Sequence, residues 1–142
     1  MRRIYCRMGE TRPRYAQHSG AVFSLKYHVV WCPKYRREVL VPPVDTRLKT
    51  IIGTVAAEYG FTVHAMEVMP DHVHLFIAAD PTRSVAEIVN RFKGRTSRLL
   101  RDEFKSLRSR LPTLWSRSYF AATVGAVSEA AIRRYIEAQK GV

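Results

Sequence analysis

Met69-Pro70-Asp71-His72-Val73-His74-Leu75-Phe76-Ile77 is a turn followed by a short apolar run with two histidines in alternate register. Read as a strand, the run puts His72 and His74 on one face and Val73, Leu75 and Ile77 on the other. One face is then polar and the other belongs to a core. Upstream, Phe61 to Val68 reads as a second strand, so the two form a hairpin about Met69-Pro70-Asp71. Paired imidazoles at this spacing can bracket a divalent metal if a third ligand comes from elsewhere. The alternative is two strand histidines, one solvated and one hydrogen-bonded, and the pair alone does not choose between them. His64, in the preceding strand, reads as a structural histidine.

Outward from the hairpin, alternation returns in Ala21 to Trp31, where Phe23, Leu25, Tyr27, Val29 and Trp31 share a face opposite Ser24, Lys26 and His28. This is a half-buried strand, ended by Pro33 and followed by the basic loop Lys34-Tyr35-Arg36-Arg37. An aromatic among cations suits a single-stranded base and its phosphate, although such clusters are equally often solvated surface. Leu48, Ile51, Ile52, Val55, Ala56 and Tyr59 define an amphipathic helix over Val44 to Tyr59, which Gly60 ends.

A longer helix begins after Ser84, whose side chain is placed to cap it. It carries Val85, Ile88, Val89, Phe92, Leu99 and Leu100 inward and Arg91, Lys93, Arg95, Arg98 and Arg101 outward. Gly94 in its middle implies a kink, a close backbone approach or a bare surface position. Ser118 to Thr123 reads as a fourth strand, and a last helix from Ser128 places Ile132, Tyr135, Ile136 and Gln139 on one stripe. That stripe either packs Tyr135 between isoleucines in a core or delivers a phenol and an amide to a site elsewhere. The order strand, helix, strand, strand, helix, strand favours an α+β, ferredoxin-like (RRM-like) sandwich: an antiparallel sheet with helices on one face and an added C-terminal helix.

With 142 residues, 46% of them hydrophobic, the chain supports a single core. Residues 1 to 20 read as a basic, flexible arm and residues 21 to 142 as one domain. Lys and Arg number 24 against 12 Asp and Glu, a net charge of +12 spread along the chain, for which a polyanion is the economical partner. No apolar run approaches the roughly 20 residues that span a bilayer, so the expectation is a soluble, cytoplasmic protein without membrane contact. Cys6 and Cys32 read as free thiols.

Taken together, Tyr27-His28-Val29-Val30-Trp31-Cys32-Pro33-Lys34-Tyr35-Arg36-Arg37, Pro70-Asp71-His72-Val73-His74, Phe92-Lys93-Gly94-Arg95-Thr96-Ser97-Arg98, Ser118-Tyr119-Phe120 and Ile132 to Gln139 resemble the TnpA-type single-tyrosine transposases of small bacterial insertion sequences, of the HUH endonuclease superfamily. The resemblance spans about Ala16 to Gln139. It implies that His72 and His74 are metal ligands, that Tyr135 is the nucleophile of a catalytic C-terminal helix, and that Gln139 completes the metal site. The metal would be Mg²⁺, with Mn²⁺ as a substitute, because the neutral ligands leave the remaining positions to substrate oxygens.

The resemblance further implies single-stranded DNA with hairpins as substrate, a 5′-phosphotyrosine intermediate, and a homodimer whose composite sites use the loop around Gly125. Lys34, Tyr35, Arg36, Arg37, Arg91, Lys93, Arg95 and Arg98 are the candidate DNA contacts. Two other functions fit the same residues: a domesticated nuclease acting on hairpin repeats, and a non-catalytic ferredoxin-like module that binds nucleic acid through charge.

Overall fold

The computed structural model describes residues 16–18, 21–23, 25–123 and 129–140. Its centre is a four-stranded antiparallel sheet ordered β4-β5-β3-β6, formed by β3 (Lys26–Trp31), β4 (Thr62–Met69), β5 (His72–Ala78) and β6 (Phe120–Thr123). Four helices are described: α1 (Val44–Tyr59), α2 (Val85–Glu103), the short α3 (Lys105–Arg110) and α4 (Glu129–Ala138). The α+β sandwich expected from the element order is therefore the fold.

Apolar alternation decides which face of the sheet is covered by helices. Val29 and Trp31 of β3 and Val73, Leu75 and Ile77 of β5 enter the main core. There they meet Leu48, Ile51, Ile52 and Val55 of α1 and Ile88, Val89, Phe92 and Leu100 of α2. Full burial of each such side chain is worth roughly 1.5–3 kcal/mol, so this interface dominates the stability of the fold. Gly60 at φ 72° gives α1 a left-handed stop, with Phe61 N–H closing back onto the Ala56 carbonyl. Ser84 caps α2 by accepting from the Glu87 amide at 3.1 Å. The helix runs on through Gly94, which is exposed and where an added Cβ would meet nothing; it is a bare surface position.

Three expectations need correction. Ala21 to Trp31 is not one strand: Ala21–Phe23 (β2) pairs with Ala16–His18 (β1) in a separate ribbon, and β3 begins at Lys26. Among the described residues the β3–β5 ladder ends with Lys26 opposite Ala78, followed by one further bond from the Ala79 N–H to the Leu25 carbonyl. The stretch 16–18 is accordingly paired, whereas the rest of the expected basic arm, with Cys6, lies outside the described residues. The fourth strand starts at Phe120 and not at Ser118, since the chain before it first runs beside the end of β3 through Lys34 N–H to Leu114 O and Ser116 N–H to Cys32 O. His64 sits at a register shift between β4 and β5, exposed and edge-on to Phe76 at 5.4 Å.

A buried contact ties α2 to the 114–118 segment. The Trp115 indole N–H donates to Thr96 Oγ1 at 3.0 Å, and that hydroxyl donates to the Phe92 carbonyl at 2.7 Å. Thr96→Val keeps the shape but strands the indole donor, and is expected to destabilise the fold by about 1–3 kcal/mol in a denaturant titration. An unchanged midpoint would show that the indole finds another partner. Among the described residues no helix is long and apolar enough to cross a membrane.

Candidate active site

The sheet face opposite α1 and α2 carries the polar chemistry. Register aligns Glu67 of β4, His74 of β5 and Val30 of β3, with Phe120 of β6 continuing the row, while His28 lies across from Phe76. His72 and His74 do share this face. His74 is 5% exposed and His28 9%, and His28 Nδ1 lies 3.2 Å from His74 Nε2. One of these nitrogens donates and the other accepts, which ties the tautomers of the two rings together. Burial lowers the pKa of His28, favouring its neutral form. His72 is oriented differently: its Nδ1 lies 2.9 Å from Asp71 Oδ1, and Asp71 Oδ2 forms an ion pair with Arg36 Nε at 3.2 Å.

Helix α4 lays its stripe against the protein. Tyr135 packs on Phe120, with ring centroids 6.0 Å apart, and its hydroxyl lies 3.0 Å from Ser118 Oγ. Ser118 Oγ donates to Gln139 Oε1 at 2.8 Å, and Ser116 Oγ donates to the same oxygen at 3.2 Å. With its only proton committed to Gln139, Ser118 accepts from the phenol, so Tyr135 is held as a hydrogen-bond donor.

Gln139 is 6% exposed; it does not fray at the helix end. Burial, with the Cys32 thiol adding to it, pushes the Tyr135 phenol up to about 12 against the pull of the serine hydroxyls. Burial likewise pushes the Cys32 thiol to about 12. The serine pair joins the site only in the folded chain, although Ser116-Arg117-Ser118 sets two hydroxyls in alternate register. His28 has no role legible from its strand position, because its contact with His74 lies diagonally across two strands.

Residues 21–139 match the family model described as transposase, IS200 like. The chain belongs to this IS200-like transposase family. It is 42% identical over 122 residues to the ISDra2 transposase TnpA of Deinococcus radiodurans, covering 84% of this chain and 87% of that one. The transposase for insertion sequence element IS200 of Salmonella typhimurium is 29% identical over 119 residues, 82% of this chain and 78% of its own. The crystal structure of a candidate transposase from Deinococcus radiodurans R1 superposes with a TM-score of 0.82 at 37% identity, over 89% of this chain and 99% of that one. A REP-associated tyrosine transposase solved on a REP hairpin shares the fold, with a TM-score of 0.54 at 14% identity over 89% of this chain and 67% of its own.

The expected DNA contacts of this IS200-like transposase divide by position. Lys34, Tyr35 and Arg36 form a 3₁₀ turn, and an open cleft of about 580 Å³ beside it is lined by Tyr35, Arg36, Arg37, Glu38, Asp71 and Lys140. Lys34 Nζ lies 5.1 Å from the Tyr35 ring centroid. Arg91 and Arg95 sit instead on the helix layer, behind the sheet from the histidines. Arg95 forks onto the Glu58 carboxylate of α1 at 2.7 and 3.1 Å, and Arg91 lies over the Tyr59 ring with Glu87 3.6 Å away. Arg98 is exposed on the same helix.

Lys93 departs furthest from its expected role. Its ammonium donates to the Ser116, Arg117 and Ser118 carbonyls at 2.7, 3.4 and 3.2 Å, and burial lowers its pKa. It therefore anchors the segment that bears the two serines and does not face solvent phosphate. The loop containing Gly125 lies outside the described residues.

The phenol shift makes a pH prediction. Docked Tyr135 titrates near 12, above the ordinary value of about 10. Its contribution to helix docking is complete below pH about 10 and is lost as pH rises towards 12. Ultraviolet difference titration of wild type against Tyr135→Phe should show one tyrosine ionising late; ionisation near 10 would place Tyr135 in solvent.

Proposed function

We propose that this transposase cuts and rejoins single-stranded DNA at hairpin-bearing element ends through a covalent 5′-phosphotyrosine at Tyr135. The observation that supports it best is a bridge between two halves of the chain. Helix α4, which carries Tyr135 and is followed directly by Gln139, docks on the histidine-bearing side of the sheet, where Arg36 contacts both the Ile136 carbonyl and the Asp71 carboxylate that holds His72. The phenol and the histidine pair, some 60 residues apart in sequence, are thereby held on one surface.

In the proposed reaction the Tyr135 oxygen attacks the scissile phosphorus, the bond to the 3′ oxygen breaks, and that oxygen leaves as a 3′ hydroxyl. The bond energy stays in the phosphotyrosine, so the reverse attack by a 3′ hydroxyl reseals a strand without an external energy source. In the docked arrangement the phenol proton is held by Ser118 and the pKa is high, which is a resting state. Attack requires Tyr135 to exchange Ser118 for the phosphate.

His72, His74 and Gln139 would hold a divalent cation, Mg²⁺ or Mn²⁺. Among the described residues no three His, Cys, Asp or Glu side chains form a ready metal cluster, which argues against a closed structural zinc site. The donor set still fits a hard cation that keeps oxygen ligands. Two imidazoles share a face, a buried amide oxygen accepts only two replaceable hydroxyls, and the buried Glu67 across from His74 leaves Oε2 without a partner. Such a cation supplies charge that offsets the scissile phosphate and the departing 3′ oxygen.

Arg37 and Lys140, which line the open cleft, would track the phosphates with the neighbouring Lys34, and Tyr35 is available for a base. The proposed substrate is compatible with the fold neighbour captured on a REP hairpin. Active sites shared between the subunits of a homodimer would complete the scheme. The test is the formation of a protein–DNA adduct that survives denaturation on single-stranded element ends with Mg²⁺ and is absent with EDTA. No adduct on the cognate ends would instead favour a non-catalytic binding module.

A further inference from the structure

We propose that Arg36 is a positioning residue that joins the tyrosine helix to the His72 imidazole, so that one guanidinium sets both halves of the site. The inference rests on the reading of His72 as a metal ligand. Arg36 Nε lies 3.2 Å from Asp71 Oδ2, and Asp71 Oδ1 holds His72 Nδ1 at 2.9 Å. A carboxylate on one ring nitrogen fixes the tautomer and leaves the other nitrogen, Nε2, as the ligating atom. Arg36 Nη1 donates to the Ile136 carbonyl at 3.2 Å and lies 3.5 Å from Glu137 Oε2. Ile136 is in the last turn of α4, where a cation is favoured by the helix dipole, and its carbonyl accepts from Arg36 as well as from the Gln139 N–H at 3.1 Å.

The backbone points the same way. Tyr35 and Arg36 have φ of 60° and 52°, a left-handed conformation that side-chain-bearing residues rarely adopt, in consecutive positions. Such conformations persist where the surroundings over-determine them and cluster at functional sites. Here they aim a side chain that is only 18% exposed between β5 and α4, although its loop borders an open cleft. A surface arginine would need neither the backbone conformation nor the hydrogen bond to Ile136 with two ion pairs.

The arms can be cut separately. Asp71→Asn should weaken Mn²⁺ binding about tenfold, read by the free-ion electron paramagnetic resonance signal, with little change in hydrogen exchange of α4. Glu137→Gln should speed α4 exchange about two- to threefold and leave Mn²⁺ affinity alone. Arg36→Met should do both, weakening Mn²⁺ by about tenfold and speeding α4 exchange by at least as much. If Arg36→Met fails to fold, Arg36→Lys, which keeps the charge but cannot fork to three acceptors, should move both readouts in the same directions by less.

A change in only one readout for the Arg36 variant would overturn the proposal. Mn²⁺ binding that is equal in wild type, His72→Ala and His74→Ala would overturn the ligand reading itself and this inference with it. That outcome is told apart by the histidine variants.

Discussion

Tyr135→Phe is expected to abolish the covalent protein–DNA adduct, a loss on the order of 10⁴-fold or more in cleavage, because no other group in the proposed scheme replaces the phenol oxygen as nucleophile. The substitution is structurally mild. The ring keeps its contact with Phe120, and Ser118 Oγ still donates to Gln139. The 3.0 Å contact to Ser118 is lost, for which about 0.5–1.5 kcal/mol is the ordinary scale, together with the weaker influence of Ser116. Loss of the adduct with retained helix content and hairpin binding would therefore report chemistry. The measurement is a denaturing gel of single-stranded element ends incubated with wild type or variant, with Mg²⁺ or EDTA. An adduct that persists in the phenylalanine protein would remove Tyr135 from the mechanism.

The second large effect is expected at His74. Its replacement by alanine takes away one proposed ligand of the cation that offsets charge at the phosphate, and several kcal/mol of barrier corresponds to roughly 10³-fold or more in cleavage. Hairpin binding should stay within about threefold by fluorescence anisotropy, since the cations of the 34–37 loop border a cleft that His74 does not line. A confounding cost is visible. His74 is buried and is the partner of His28 Nδ1, so the variant leaves a buried polar nitrogen exposed to a cavity. Thermal unfolding of the same sample separates the cases: loss of binding together with a collapsed transition would make the histidine structural. His28→Ala offers a comparison, because it disturbs the same pair without removing a proposed ligand.

Much of this was legible before any coordinates. The helix Val44–Tyr59 is marked at one end by Pro43 and at the other by Gly60, and its apolar spacing has a single helical reading. The His72–Ala78 strand is equally constrained, since a one-residue slip would exchange Val73, Leu75 and Ile77 for the histidines in the core. The break in the first long alternation was not legible. That residues 21–23 pair with 16–18 and not with the main sheet is a matter of partners, which their own alternation does not specify.

The cations show the same limit more sharply. Lys93, Arg95 and Arg36 are alike as letters in a basic chain. One holds three carbonyls, one forks onto Glu58, and one bridges Asp71 to α4.

By itself, then, the sequence determined the α+β order of elements, the face on which His72 and His74 stand, and the stripe that carries Tyr135 with Gln139, because each follows from a local period of two or 3.6 residues. Only the tertiary structure decided that His28 closes on His74, that Ser116 and Ser118 hold the amide and Ser118 the phenol, and that Arg36 joins the helix to the turn before the histidine strand. Those are contacts between residues up to 100 positions apart, fixed by register and docking, for which a linear pattern carries no signal.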